Sequence, residues 1–75
     1  MVIDVRTDQE FITGNVPGSL NIPLHQILER IEEIKKIEEP IVLCCASGIR
    51  SAQALEILKS NGITCENAGS WLNLI

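Results

Sequence analysis

The run Ile41-Val42-Leu43-Cys44 is the most restrictive feature of this sequence. Four consecutive apolar residues with no polar alternation suit a strand covered on both faces, and such strands belong to parallel sheets layered between helices. The remainder of a 75-residue chain must therefore supply those layers. It does so by alternation. Val2 to Val5 reads as a first buried strand, and Thr7, Asp8, Gln9 and Glu10 suit the start of a helical turn holding Phe11 and Ile12. Gly14, Pro17 and Gly18 impose a loop, after which Ser19 to Pro23 carries a short extended stretch. Leu24, Ile27, Leu28, Ile31 and Ile34 recur at three- and four-residue intervals, which predicts one continuous amphipathic helix. A second helix is predicted from about Ser51 to Ser60, with Ala54, Leu55 and Leu58 inward and Asn61-Gly62 as its stop. A weaker last strand is expected around Ile63 to Glu66. The fold class is α/β: one small domain over residues 1–75, with a mainly parallel central sheet flanked by helices.

Charge and composition remove several functional classes. A formal charge of -4 argues against a nucleic-acid partner, which would call for a basic stripe to neutralise phosphates. The mixed charges from Glu29 to Glu39 read as a solvated helix face. No stretch approaches the roughly 18 to 20 apolar residues of a membrane span, and Asp4 and Arg6 break any signal-peptide core at the start. No membrane partner is expected, and a cytoplasmic location is the default. Three cysteines, two of them adjacent at Cys44 and Cys45, make a poor disulfide framework and fit that compartment. Together with the single His25 they lack the paired spacings of a zinc site, so neither metal nor cofactor is expected.

Ligands of open parallel sheets gather at the carboxyl ends of strands, which directs attention to the loop Cys45-Ala46-Ser47-Gly48-Ile49-Arg50. It leads with a thiol. A short loop winding into a helix N-terminus turns successive N–H groups toward one point, Gly48 allows tight closure, and Arg50 adds a permanent positive charge. A free cysteine with a pKa of about 8.5 is only about three per cent thiolate at pH 7. Lowering that by about two units requires roughly 2.7 kcal/mol; a helix terminus supplies up to ~2 kcal/mol, and Arg50 is expected to supply the rest. A cation at a helix start is otherwise disfavoured, so the position of Arg50 itself points to an anionic site. The plainer alternative makes Cys45 a small core residue. Core packing is the expected role of Cys44 and Cys65, a resolving thiol being the other reading for Cys65. Trp71 is expected against the sheet or on the rim of the site.

Four segments then resemble, in order and spacing, the signatures of the rhodanese family: Asp4-Val5-Arg6; Glu10-Phe11 with Gly14; Pro17-Gly18-Ser19-Leu20-Asn21-Ile22-Pro23; and Cys45 to Ser51. The resemblance implies a sulfurtransferase. In it Cys45 takes the outer sulfur of a small anionic donor such as thiosulfate or polysulfide, holds it as a persulfide, and passes it to cyanide, a thiol or a protein acceptor. It further implies that the N–H groups of Ala46, Ser47, Gly48, Ile49 and Arg50 receive the anionic sulfur, that Arg50 helps anchor the donor, and that Asp4, Arg6 and Ser51 support the loop. A sulfur-relay or docking module without efficient turnover is the second reading. A cysteine-dependent phosphatase or arsenate reductase is disfavoured, because four residues separate Cys45 from Arg50 where dual-specificity phosphatases resemble a version with five. Ala46 stands where many of these sulfurtransferases carry a basic residue, which lowers the attraction for a dianion. Gly14-Asn15 replaces the family's glycine-histidine pair. The family fold also usually begins with a further strand and helix, so the chain reads as an N-terminally shortened version, a fragment, or a domain whose open sheet edge a partner covers.

Overall fold

The computed structural model describes residues 1–75 and contains one four-stranded parallel sheet. Its elements are β1 (Val2–Asp4), α1 (Asp8–Ile12), β2 (Leu20–Asn21), α2 (Ile31–Lys35), β3 (Val42–Cys45), α3 (Ile49–Ser60) and β4 (Glu66–Ser70). The strand order is β2-β1-β3-β4 with every pair parallel. The chain thus builds outward from β1 in one direction, then returns past β1 and builds in the other. Such a reversal places the carboxyl ends of the two central strands, β1 and β3, side by side, the position at which open α/β sheets carry their sites.

Right-handed crossovers place α1 on one face of this sheet and α2 and α3 on the other. Burial agrees with that division. Helix α1 buries no residue, whereas Ile31 and Ile34 of α2 and Ala54 and Leu58 of α3 join Ile3, Val5, Leu43 and Cys45 in a single core. The strand pleat sends the register partners Asp4 and Cys44 to the opposite face, where both are also fully buried. A strand buried on both faces is what the unalternated run at Ile41–Cys44 requires.

The apolar stripe from Leu24 to Ile34 does not form the one helix predicted from it. Two 3-10 turns, Leu24–Gln26 and Leu28–Arg30, precede a five-residue α2. Pro23 starts this stretch, and the N–H groups of Gln26, Ile27 and Arg30 all bond three residues back. Spacings of three and four are shared by both helix types, so the stripe delivers Ile27, Ile31 and Ile34 to the core without deciding the backbone. Leu28 is left outside, 65% exposed.

The last strand also lies later than predicted. Ile63 and Cys65 are buried as the chain approaches the sheet, but β4 itself is the polar segment Glu66-Asn67-Ala68-Gly69-Ser70. It is an edge strand held by main-chain pairing with β3, so it needs no apolar alternation. A bulge interrupts that pairing: Leu43 faces Asn67 and Cys44 faces Gly69, with Ala68 skipped. Gly69 has φ +81°, and a Cβ on Gly48 (φ +99°) would lie 3.2 Å from its Cα. The thiol loop and β4 therefore touch backbone to backbone, through two glycines.

No helix is long and apolar enough to cross a membrane.

Two substitutions test this packing. Leu58→Ala empties a fully buried core position and is expected to cost about 2–5 kcal/mol, a large part of the roughly 4–11 kcal/mol available to a domain of this size. A urea midpoint lowered with an unchanged slope is the expected readout. Gly48→Ala meets both the positive φ and the Gly69 backbone and is expected to cost about 1–3 kcal/mol in the same assay.

Candidate active site

Cys45 closes β3, and the chain then turns through Ala46, Ser47 and Gly48 into α3. Gly48 takes the left-handed conformation at the helix N-cap, where a residue with a Cβ would be strained. Its N–H consequently points back at Cys45 and lies 2.9 Å from Sγ. The Ser51 N–H, one turn into α3, reaches the same sulfur at 3.4 Å, and the Ser51 hydroxyl lies 3.4 Å from it. That hydroxyl is also 3.2 Å from the Gly48 carbonyl oxygen. It has one proton to give. Beside a neutral thiol it donates to the carbonyl and accepts the S–H; beside a thiolate it swings its proton onto sulfur.

Burial alone would raise the Cys45 pKa, since the side chain has no exposed surface. The donors win: the Ser51 hydroxyl and the N–H groups of Ser51, Gly48 and Ser47 bring the pKa below the ordinary thiol value. The other two cysteines lack such donors. Burial and the Asp4 charge push Cys44 up to about 11, and burial raises Cys65. Of three thiols, one is prepared to ionise.

Arg50 feels the Cys45 charge through space, but no side-chain hydrogen bond joins it to the sulfur. Its guanidinium grips Glu10 of α1 in a two-pronged pair, Nη1 to Oε1 at 2.7 Å and Nη2 to Oε2 at 2.9 Å. The arginine lowers the Glu10 pKa to about 2, with the Thr7 N–H adding to the effect. Thr7 and Glu10 form a reciprocal capping box at the start of α1, the Thr7 hydroxyl accepting from the Glu10 N–H while the Glu10 carboxylate accepts from the Thr7 N–H. Glu10 is thereby fixed before Arg50 meets it. The direct hydrogen bonds to the Cys45 sulfur come from the loop and Ser51, while Arg50, expected to help ionise the thiol, acts on it only through space and is bound to Glu10.

Asp4 and Arg6 form a second such pair. Arg6 Nε and Nη2 donate to both Asp4 oxygens at 2.7–3.0 Å, and Nη2 also donates to the Gly14 carbonyl at 2.7 Å. Both residues are buried. Asn21 ties β2 to this corner by donating to the Asp4 and Arg6 carbonyls. Trp71, in the 3-10 turn after β4, covers the Arg6 guanidinium with its ring centroid 4.5 Å away and lies against Gly14.

Among the residues expected at the site, Cys45, Ser47, Gly48 and Ser51 converge on the sulfur. Ala46 and Ile49 have exposed side chains, Arg50 faces Glu10, and Asp4 and Arg6 brace the β1 end. The sequence reading left Glu10, Asn67 and Gly69 without roles. Asn67 donates to the Gly48 carbonyl at 3.4 Å and accepts from the Gly69 N–H at 2.8 Å, joining the bulge to the loop. The Thr7-x-x-Glu10 spacing is the one local signal for any of the three, and it announces a helix cap rather than an ion pair 40 residues away.

Comparison with known proteins bears on this arrangement. The profile described as "Rhodanese-like domain" matches residues 1–72. The chain is 39% identical over 62 residues to a protein named "Sulfurtransferase" from Allochromatium vinosum, covering 83% of this chain and 57% of that one. It is 39% identical over 69 residues to "Thiosulfate sulfurtransferase PspE" of Escherichia coli, covering 89% and 66%. An uncharacterised Bacillus subtilis protein, YqhL, is 41% identical over 63 residues, covering 84% and 49%. The chain thus spans about half to two thirds of the length of these relatives. Among solved structures, a rhodanese from E. coli bound to anions superposes with a TM-score of 0.84 at 36% identity, covering 96% of this chain and 87% of that one. With the profile spanning nearly every residue and the parallel sheet superposing on a solved rhodanese, this chain belongs to the rhodanese-like domain family.

Proposed function

We propose that the domain transfers sulfane sulfur through a persulfide on Cys45, taking the sulfur from a donor such as thiosulfate or a polysulfide and handing it to cyanide, a thiol or a protein acceptor. The observation that carries this reading is the convergence of the Gly48 and Ser51 N–H groups and the Ser51 hydroxyl on one buried sulfur. In the first step the Cys45 thiolate attacks the outer sulfur of the donor. A new S–S bond forms, the old bond to that sulfur breaks, and the remainder of the donor leaves with the electron pair. The persulfide then carries its charge on the terminal sulfur, within reach of the N–H groups from Ala46 to Arg50. An acceptor nucleophile attacks that terminal sulfur and regenerates the thiolate, so the cycle involves no net oxidation and requires no cofactor.

Because Cys45 has no exposed surface, the donor enters by parting the Ala46–Ile49 loop from the sulfur. The terminal sulfur of the persulfide then takes up the hydrogen bonds that the loop gives Sγ at rest. Sulfurtransferase-named relatives support the same reaction class.

Two measurements test the reading. Treating the protein with thiosulfate or polysulfide is expected to add the mass of one sulfur, which cyanide removes and Cys45→Ser abolishes; absence of an adduct with every sulfane donor refutes the proposal. Release of the sulfur to cyanide over many cycles marks a turning-over enzyme, whereas one stoichiometric release marks a relay module. In the second measurement, the rate of iodoacetamide alkylation at Cys45 is expected to rise with pH to a midpoint below that of an ordinary thiol, with Cys44 silent because it stays protonated. Ser51→Ala removes one charge-assisted donor and is expected to slow alkylation at pH 7 about tenfold, with the midpoint moved upward.

A further inference from the structure

Resting on that reading, we propose that Glu10 sets the donor preference of the site: by holding Arg50 in a two-pronged ion pair it offsets positive charge beside the loop, so that the site discriminates against the thiosulfate dianion in favour of sulfur delivered by alkyl persulfides, which carry at most one negative charge. The chain has six Lys and Arg residues, and two of them, Arg6 and Arg50, stand at the carboxyl end of the sheet. Both are engaged: Arg6 by Asp4 and the Gly14 carbonyl, Arg50 by both oxygens of Glu10.

The other four cations belong to other segments of the chain or to the far end of α3. Arg30 and Lys35 pair with Glu33 and Glu32 around α2, and Lys36 follows directly on that helix. Lys59 lies in the last turn of α3, nine residues beyond Arg50 and therefore about 13 Å along the axis. The loop positions after the thiol, Ala46 and Ser47, bring no charge. What remains to greet a donor is a set of uncharged N–H and O–H groups, with the Arg50 charge nearby offset by the Glu10 carboxylate.

Those groups suffice for a single charge on sulfur. Thiosulfate brings two negative charges beside a thiolate, and its leaving group, sulfite, departs with both. That accumulation calls for a cation close by. An alkyl persulfide reacting in its protonated form, R–S–SH, makes no such demand. The Cys45 thiolate attacks its outer sulfur, the S–S bond of the donor breaks, and RS⁻ leaves with the electron pair and takes up the proton of the transferred sulfur. The products are the Cys45 persulfide anion and RSH, and one negative charge is present throughout.

Glu10 is well suited to hold Arg50 in place. The capping box fixes its carboxylate at the start of α1 independently of Arg50, through the Thr7 N–H and hydroxyl at 3.1 and 3.0 Å. Both partners of the pair are about one-third exposed, so the guanidinium sits where an entering anion would meet it were the carboxylate absent. Glu10→Gln removes the charge and keeps a residue that serves equally at that capping position.

The test compares the rate of sulfur loading on Cys45, read by quenched intact mass, with thiosulfate and with 2-hydroxyethyl persulfide as donors. The expected result is that Glu10→Gln raises the thiosulfate-to-persulfide rate ratio at least about tenfold, the size of one unscreened charge at close range, and that the gain shrinks with added salt. Adding Arg50→Gln to that variant is expected to erase the gain. Arg50→Gln alone is expected to change the ratio less than twofold. The assignment is overturned if Glu10→Gln leaves the ratio unchanged or lowers it while the persulfide still loads the thiol. It is equally overturned if Arg50→Gln alone abolishes thiosulfate loading, because Arg50 would then serve the dianion despite its partner; this arm stands even if Glu10→Gln unfolds. Failure of both donors to load the wild-type thiol refutes sulfur transfer itself, a result distinct from either of these.

Discussion

The whole molecule is organised around the cost of keeping one ionisable sulfur in the interior. An unsolvated thiolate is unfavourable, and a buried cysteine left to itself stays protonated, as Cys44 and Cys65 do. Cys45 escapes this because the chain after β3 reverses at Gly48 and presents two N–H groups and a hydroxyl to the sulfur. Every larger feature serves that reversal. The parallel sheet puts β3 in the centre, α3 begins directly beyond it, and the bulge in β4 brings Gly69 close enough to pin Gly48.

The parts legible in the sequence were those with a local physical signature. The unalternated run before Cys45 required two covered faces, and Gly48 in a strand-to-helix loop required a tight turn; both are present. The stripe from Leu24 to Ile34 revealed which side chains are buried but not the backbone that carries them, because three-residue and four-residue spacings fit 3-10 turns as readily as an α-helix. β4 was displaced because its stability comes from main-chain pairing to β3, which leaves no hydrophobic period to read. Arg50 illustrates a different limit. Its charge was visible, but its partner lies 40 positions away, and an ion pair at that separation is a product of topology alone.

Electrostatic compensation recurs at the carboxyl end of the sheet. Each arginine there meets a carboxylate that another element has already oriented: Asp4 at the end of β1, and Glu10 in the capping box of α1. The two pairs differ in setting. Arg6 and Asp4 are buried, cross-linked to the Gly14 carbonyl and roofed by Trp71, so they act as a fixed joint between β1 and the loop after α1. Arg50 and Glu10 are part-exposed, where solvent and ions compete with the pair.

The pleat of β3 has a chemical outcome of its own. Cys44 and Cys45 are adjacent in the chain, yet successive side chains of a strand project from opposite faces, so the backbone lies between the two sulfurs. On the proposed persulfide reading, attack by Cys44 on a loaded Cys45 would form a vicinal disulfide and expel hydrosulfide. The alternation of faces opposes the approach, and a thiol pushed up to about 11 is almost wholly protonated at neutral pH. Neighbours in sequence are thus strangers in reactivity, one sulfur met by N–H donors and the other pushed toward its protonated form.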